Sequence, residues 1–187
     1  MANTAIERLT EFKGTDLADL CDAAETAIVD GGGFGWLKPP PREVMERYWK
    51  GVLMVPEREL LVARLDGVIA GSAQLVKPPR NNEAQAFAAA MTTHFVAAWA
   101  RGHGLARGLV QAVEEAARKA GFYVLNLDVR ETQEAAIKLY ESLGFDLWGT
   151  NPHYAMVEGR VIAGRYYSKQ LRQMPKRARR QEAKAGA

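Results

Sequence analysis

Cysteine occurs once in these 187 residues, at Cys21, so no intrachain disulfide can form. Cys21 reads as a small buried hydrophobe in a helix rather than a nucleophile. Histidine occurs three times, at His94, His103 and His153, never at ligand spacing, and no metal site is expected. No apolar run approaches the roughly 18 residues of a membrane span. The first dozen residues hold Glu7, Arg8 and Glu11 and no apolar signal core, which makes the cytoplasm the expected compartment. With 48% hydrophobic and 25% charged residues, the chain has the composition of a soluble globular domain long enough to bury a core.

Charge is unevenly placed. From Ser168 onward there are seven Lys or Arg residues and one acid, Glu182; without them, 25 basic and 22 acidic residues become 18 and 21. The basic character therefore belongs to the end of the chain, and we divide the sequence into a domain over residues 1–171 and a basic tail over 172–187. Lys176-Arg177-Ala178-Arg179-Arg180 could meet an acidic partner, or it is a solvated terminus. No aromatic lies beyond Tyr167 to stack on bases, so nucleic-acid binding is not expected.

Arg101-Gly102-His103-Gly104-Leu105-Ala106 follows the apolar pair Phe95-Val96 and opens an amphipathic helix over residues 105–120. A glycine-rich turn at a helix N-terminus lets backbone N–H groups approach an anion, Arg101 adds a full charge, and the expected ligand is a pyrophosphate. The alternative is a tight turn that only starts a helix. Leu105, Leu109, Val113, Ala116 and Ala117 form the helix's apolar face; Glu114, Arg118, Glu115 and Lys119 form its polar face. Gly121 stops it. A strand over 122–129 follows, then Thr132 as an N-cap and a second helix over 133–143 ending at Gly144-Phe145.

Strand, phosphate turn, helix, strand and a tyrosine-bearing helix in this order resemble the GNAT superfamily of acyl-CoA-dependent N-acetyltransferases. The hexapeptide is similar to its pyrophosphate loop. Leu127-Asp128-Val129-Arg130 together with Ala136-Ile137-Lys138-Leu139-Tyr140-Glu141-Ser142-Leu143-Gly144-Phe145 is similar to its second signature. The resemblance covers residues 94–146. It implies a single α/β domain whose mixed, mostly antiparallel sheet splays at the cofactor site, flanked by helices. It implies acetyl-CoA as co-substrate and direct transfer of acetyl to a primary amine of a small molecule, peptide or protein. A non-catalytic acyl-CoA-binding module that recruits a partner through its basic tail is the alternative, and a homodimer is left open.

Residue by residue, the resemblance assigns Arg101, Gly102, His103, Gly104, Leu105 and Ala106 to the pyrophosphate, with Arg107 as a further phosphate contact. The backbone of His94, Phe95 and Val96 is assigned to pantetheine, and Gln133 stands where many members have an asparagine reaching the same arm. Tyr140 corresponds to the tyrosine beside the sulfur, where a phenol can protonate the leaving thiolate; helical periodicity alone would place it in the core. Asp128 matches a position where some members carry a glutamate base, although a strand-end carboxylate can also cap a turn or pair with Arg130. Glu83 and His94 are weaker alternatives for the base.

Elsewhere, residues 59–65 and 68–76 read as strands joined by Asp66-Gly67, a type I′ hairpin signal. Residues 15–29 and 42–52 have helical spacing, residues 5–9 read as a first strand, and residues 145–150 and 154–167 as late strands broken at Glu158-Gly159. Residues 84–100 are alanine-rich and helical by propensity, whereas the resemblance makes them the central strand. Residues 31–41 join the first two helices with triple glycine, triple proline, Phe34 and Trp36. They form either a substrate lid or a loop whose aromatics anchor it to the core. Tyr154, Tyr166 and Gln74 could also face the amine.

Overall fold

In the computed structural model, which describes residues 2–32 and 35–175, Thr4–Leu9 (β1) pairs antiparallel with Arg58–Leu65 (β2). Asp66 and Gly67 both take positive φ, 50° and 88°, so the chain reverses tightly and β2 pairs with Val68–Val76 (β3). Ala88–Val96 (β4) continues the antiparallel run beside β3. Val124–Arg130 (β5) then lies parallel to β4, and the hairpin of Asp146–Val157 (β6) and Arg160–Gln170 (β7) completes the sheet in the order β1-β2-β3-β4-β5-β7-β6. Only the β4–β5 pair is parallel, because helix Leu105–Lys119 (α3) supplies the crossover. The α/β architecture is the one the sequence predicts.

Helices cover both faces of the sheet. On one, Leu109, Val110 and Val113 of α3 and Ile137 and Tyr140 of Glu134–Ser142 (α4) share one core with Leu61, Ala63 and Leu75 of the sheet. On the other, Leu20, Ala24 and Ile28 of Asp16–Val29 (α1) and Met45 and Trp49 of Arg42–Met54 (α2) pack on Leu60, Val62 and Ile69. Strand alternation divides consecutive residues between the two cores.

Residues 84–100 resolve the conflict between propensity and pattern. Glu83–Gln85 forms one 3₁₀ turn and residues 88–96 a strand, because Ala89 and Met91 are buried between neighbouring strands and local helix preference is overridden. The strand is not regular. Ser72 pairs with Phe95 and Gln74 with Thr92, so Ala73 alone faces both Thr93 and His94. Thr93 sits at φ 52°, a costly conformation for a β-branched residue. This bulge flips the alternation: Ala89 and Met91 belong to the first core and Phe95 to the second.

Four expectations need correction. Glu114 is not on a solvated face: it is 4% exposed, paired with Lys169 Nζ at 2.7 Å and Arg118 at 3.3 Å, because β7 covers that side of α3. Thr132 does not cap α4; Gln133 takes the capping position, without a side-chain cap bond. Gln74 cannot face a substrate, being fully buried with its amide between Arg58 (2.6 Å) and the Tyr48 hydroxyl (3.0 Å). The late strands do not separate between Thr150 and Tyr154: β6 continues through residues 151–154 with an irregular register, and the chain reverses only at the turn Glu158-Gly159. Gly121 ends α3 as predicted, at φ 93°, its N–H bonding Arg118 O and that of Phe122 bonding Ala117 O.

Candidate active site

β4 and β5 pair only over Ala88–Ala90 and Val124–Asn126 and then diverge. The gap opens on two hollows that share part of their lining. One, of about 530 Å³, runs between Phe95, Val96, Arg101 and Ala106 and the start of α4 at Gln133 and Ala136. The other, of about 450 Å³, lies among Thr93, Asp128, Tyr140, Tyr154, Leu37 and Met156. His94, Gln133 and Ala136 line both. The two hollows therefore adjoin at these three residues, and Tyr140 lines the second.

Tyr140 is 4% exposed and packs edge-on against Phe145, with Tyr167 alongside. Its hydroxyl lies 2.8 Å from His94 Nδ1, and His94 Nε2 lies 3.1 Å from Ala106 O. A carbonyl only accepts, so Nε2 carries the proton and Nδ1 accepts from the Tyr140 hydroxyl. Burial pushes the imidazole down to about 4, and it is neutral at neutral pH. Burial, with the Asp128 carboxylate adding to it, pushes the Tyr140 phenol well above its ordinary value. The phenol keeps its proton across the working range and is suited to donating a hydrogen bond.

Alternation along β5 buries Leu125, Leu127 and Val129 in the first core and leaves Asp128 exposed at the gap. The Tyr154 hydroxyl donates to Asp128 Oδ2. Burial, and then this carboxylate, raise the Tyr154 phenol far above its ordinary value, so it too remains a donor.

The predicted phosphate turn has the backbone its sequence requires. Gly102 and Gly104 take φ 83° and 76°, in the left-handed region that favours glycine. A methyl built at either would meet nothing within 4 Å, so the outer side of the turn is open. Gly104 precedes the first turn of α3, whose leading N–H groups have no intrahelical acceptor. Leu105 is buried and anchors the helix start. His103 is exposed, its Nδ1 3.0 Å from Arg101 O. Diphosphate fits this turn on backbone geometry and charge.

Several predicted ligand contacts are engaged by protein partners. Arg101 is paired with Asp30. Arg107 donates to Ser142 Oγ at 2.9 Å. Gln133 Nε2 donates to Gly31 O at 2.6 Å, and Arg130 to Gly32 O at 2.8 Å. Residues 30–32 thus form a strap tied to both sides of the gap. Nothing in the local sequence pattern marks Asp30 for this role. Trp36 packs edge-on against Tyr48, 5.2 Å between centroids, while its neighbours Gly35 and Leu37 line the Tyr140 hollow. Phe34 lies outside the described residues, as do Lys176 and everything after it. Glu83 does not line either hollow, whereas Tyr154 does, with Tyr166 against its ring at 6.1 Å. No cluster of metal-ligating side chains occurs among the described residues, and none of their helices is long and apolar enough to cross a membrane.

Residues 20–145 match the model of the acetyltransferase (GNAT) family. Over 133 residues, 71% of this chain and 79% of the relative, the sequence is 71% identical to the "uncharacterized N-acetyltransferase in hisH-hisA intergenic region" of Azospirillum brasilense. An N-acetyltransferase from Staphylococcus aureus Mu50 superimposes with a TM-score of 0.78 at 22% identity, covering 91% of this chain and 99% of that one. The "putative acetyltransferase" yncA of Salmonella typhimurium, whose structure contains acetyl-CoA, superimposes with a TM-score of 0.75 at 18% identity, covering 92% of this chain and 96% of that one. These two likenesses are of fold.

Proposed function

Since the chain belongs to the GNAT acetyltransferase family, we propose that it is an acetyl-CoA-dependent N-acetyltransferase that acetylates a primary amine directly while both substrates are bound. The observation that carries this reading is the pair of hollows that share His94, Gln133 and Ala136, one of them running to the phosphate turn and the other lined by both Tyr140 and Asp128. When bound, acetyl-CoA would supply a thioester carbonyl activated for attack by a neutral amine.

The turn from Arg101 to Ala106 and Arg107 would hold the diphosphate. The β4 edge at His94, Phe95 and Val96 would hold the pantetheine arm, with Gln133 across the gap. Past Ala90 that edge has no β5 partner, which leaves main-chain groups to align the acetyl and face its carbonyl oxygen. Asp128 takes a proton from the incoming ammonium, giving a neutral amine and a carboxylic acid. The Tyr140 hydroxyl, which donates to His94 Nδ1 in the structure, would turn its single proton from that nitrogen to the sulfur as negative charge gathers there. Because its ionisation is so unfavourable, it acts by stabilising that charge with its hydrogen bond; the second proton of the attacking nitrogen, lost as the C–N bond forms and the C–S bond breaks, goes to the thiolate, so that CoA leaves as the thiol and the phenol ends with its own proton.

The test is release of free CoA thiol from acetyl-CoA across polyamines, amino acids, aminoglycosides, and peptides with free N-termini or lysines. Turnover with one class establishes the enzyme and its substrate chemistry. Bound acetyl-CoA without turnover on any of them favours the non-catalytic binding module instead.

A further inference from the structure

The late hairpin is built around one side chain. Asn151 pairs with Gly164 and Ala155 with Ile162, so residues 152–154 of β6 stand against the single residue 163 of β7. The His153 N–H bonds Asn151 Oδ1 at 2.9 Å and closes the local turn. This irregularity lifts Tyr154 out of the ladder and lays its ring over Gly164. A Cβ at Gly164 would lie 2.1 Å from Tyr154 Cγ and 2.3 Å from Cδ2. Gly164 has no left-handed φ to explain it, so the glycine is there for space: it is the seat of the ring. Tyr166 holds the ring from the side at 86°. Seated in this way, the hydroxyl reaches Asp128 Oδ2, and no other hydrogen bond to this carboxylate occurs among the described residues.

We propose that Tyr154 is a positioning residue for acetyl transfer: its hydroxyl anchors Asp128 Oδ2 and so presents Oδ1 to the amine in the Tyr140 hollow. The inference rests on Asp128 being the proton acceptor. An exposed carboxylate on a strand has free rotation about χ2, and a single donated bond fixes its plane. The proton that leaves the ammonium goes to Oδ1, while Tyr154 keeps its own O–H bond throughout, so it takes no net part in the transfer. The hollow would also lose one wall if Tyr154 moved, which couples orientation of the base to the shape of the amine site.

The experiment is a double-mutant cycle on Tyr154→Phe and Asp128→Asn, with kcat and KM measured for acetyl-CoA and for the best amine of the panel. Phe keeps the ring in its seat and removes only the hydroxyl, so the fold and the KM for acetyl-CoA are expected to stay within about twofold of wild type. Tyr154→Phe is expected to lower kcat about tenfold, Asp128→Asn about a hundredfold or more, and the double variant no further than Asp128→Asn alone. Gly164→Ala, which fills the seat, is expected to reproduce the Tyr154→Phe loss. An equal tenfold loss from Tyr154→Phe in the Asp128→Asn background would overturn the inference, since the hydroxyl would then act independently of the carboxylate. So would full activity of Tyr154→Phe beside an impaired Asp128→Asn. Full activity of Asp128→Asn would instead remove Asp128 as base, and the positioning role with it.

Discussion

His94 Nδ1 lies 2.8 Å from the Tyr140 hydroxyl while Nε2 of the same ring lies 3.1 Å from Ala106 O. One imidazole thus joins the central strand, the first turn of the helix behind the phosphate loop, and the side chain proposed to face the sulfur. Only the neutral ring can make both bonds. A charged ring would present a donor to the phenol and could keep that contact only if the hydroxyl turned away.

Stability should therefore fall on acidification. The folded-state value of His94, about 4, is below the ordinary 6.5. The unfolded chain consequently binds a proton between those values and the native chain does not, so the contribution of this histidine is complete above pH 6.5. It is lost as pH falls through the window from 6.5 to 4, and is of order 3 kcal/mol at most. Urea unfolding at pH 7 and pH 4.5 should show the loss, and His94→Gln should flatten that part of the dependence. An unchanged slope in His94→Gln would mean that another group titrates.

Tyr140→Phe removes the hydroxyl and keeps the ring against Phe145 and Tyr167. We expect kcat to drop roughly a hundredfold and the KM for acetyl-CoA to change less than about threefold. Because the phenol holds its proton so firmly, no basic limb of the rate profile below about pH 10 should disappear in the variant. Retained activity would reduce Tyr140 to a core residue.

Arg101 cannot serve Asp30 and a diphosphate equally. Asp30→Asn should strengthen acetyl-CoA binding, by up to about fivefold at low ionic strength, since an exposed pair of this kind is worth no more than about 1 kcal/mol. Arg101→Ala should weaken binding about tenfold. Calorimetric titration of both variants decides it: if the Asp30→Asn protein binds more weakly, the strap supports the site instead of competing with it.

Gly71 faces the end of β4 so closely that a Cβ there would lie 2.4 Å from Phe95 O and 3.1 Å from Val96 Cα. Gly71→Ala should cost roughly 1–3 kcal/mol and lower Tm by several degrees. It should also impair acetyl-CoA binding, because the displaced segment carries Phe95 and Val96. A thermal melt with wild-type Tm would show that β4 yields without strain.

What the sequence determined by itself was local. The positive-φ demands of Asp66-Gly67, Gly102, Gly104 and Gly121 fix two turns and a helix end through steric limits within a few residues. The hydrophobic period fixes α3 and its apolar face, and residue types at the phosphate turn and around Tyr140 carry the family resemblance. Tertiary structure decided the rest. Propensity made residues 84–100 helical, and pairing and burial within the sheet settled 88–96 of them as β4. Alternation from Ala89 and Met91 would turn His94 away from Tyr140; the bulge at Thr93 reverses it, and a bulge is set by pairing with Ala73 of a neighbouring strand. Glu114 has a surface residue's spacing, yet Lys169 lies over it from 55 positions away. Asp30, Tyr154 and Gly164 gain their roles from partners 71, 26 and 10 residues distant, a separation over which no short-range pattern carries information.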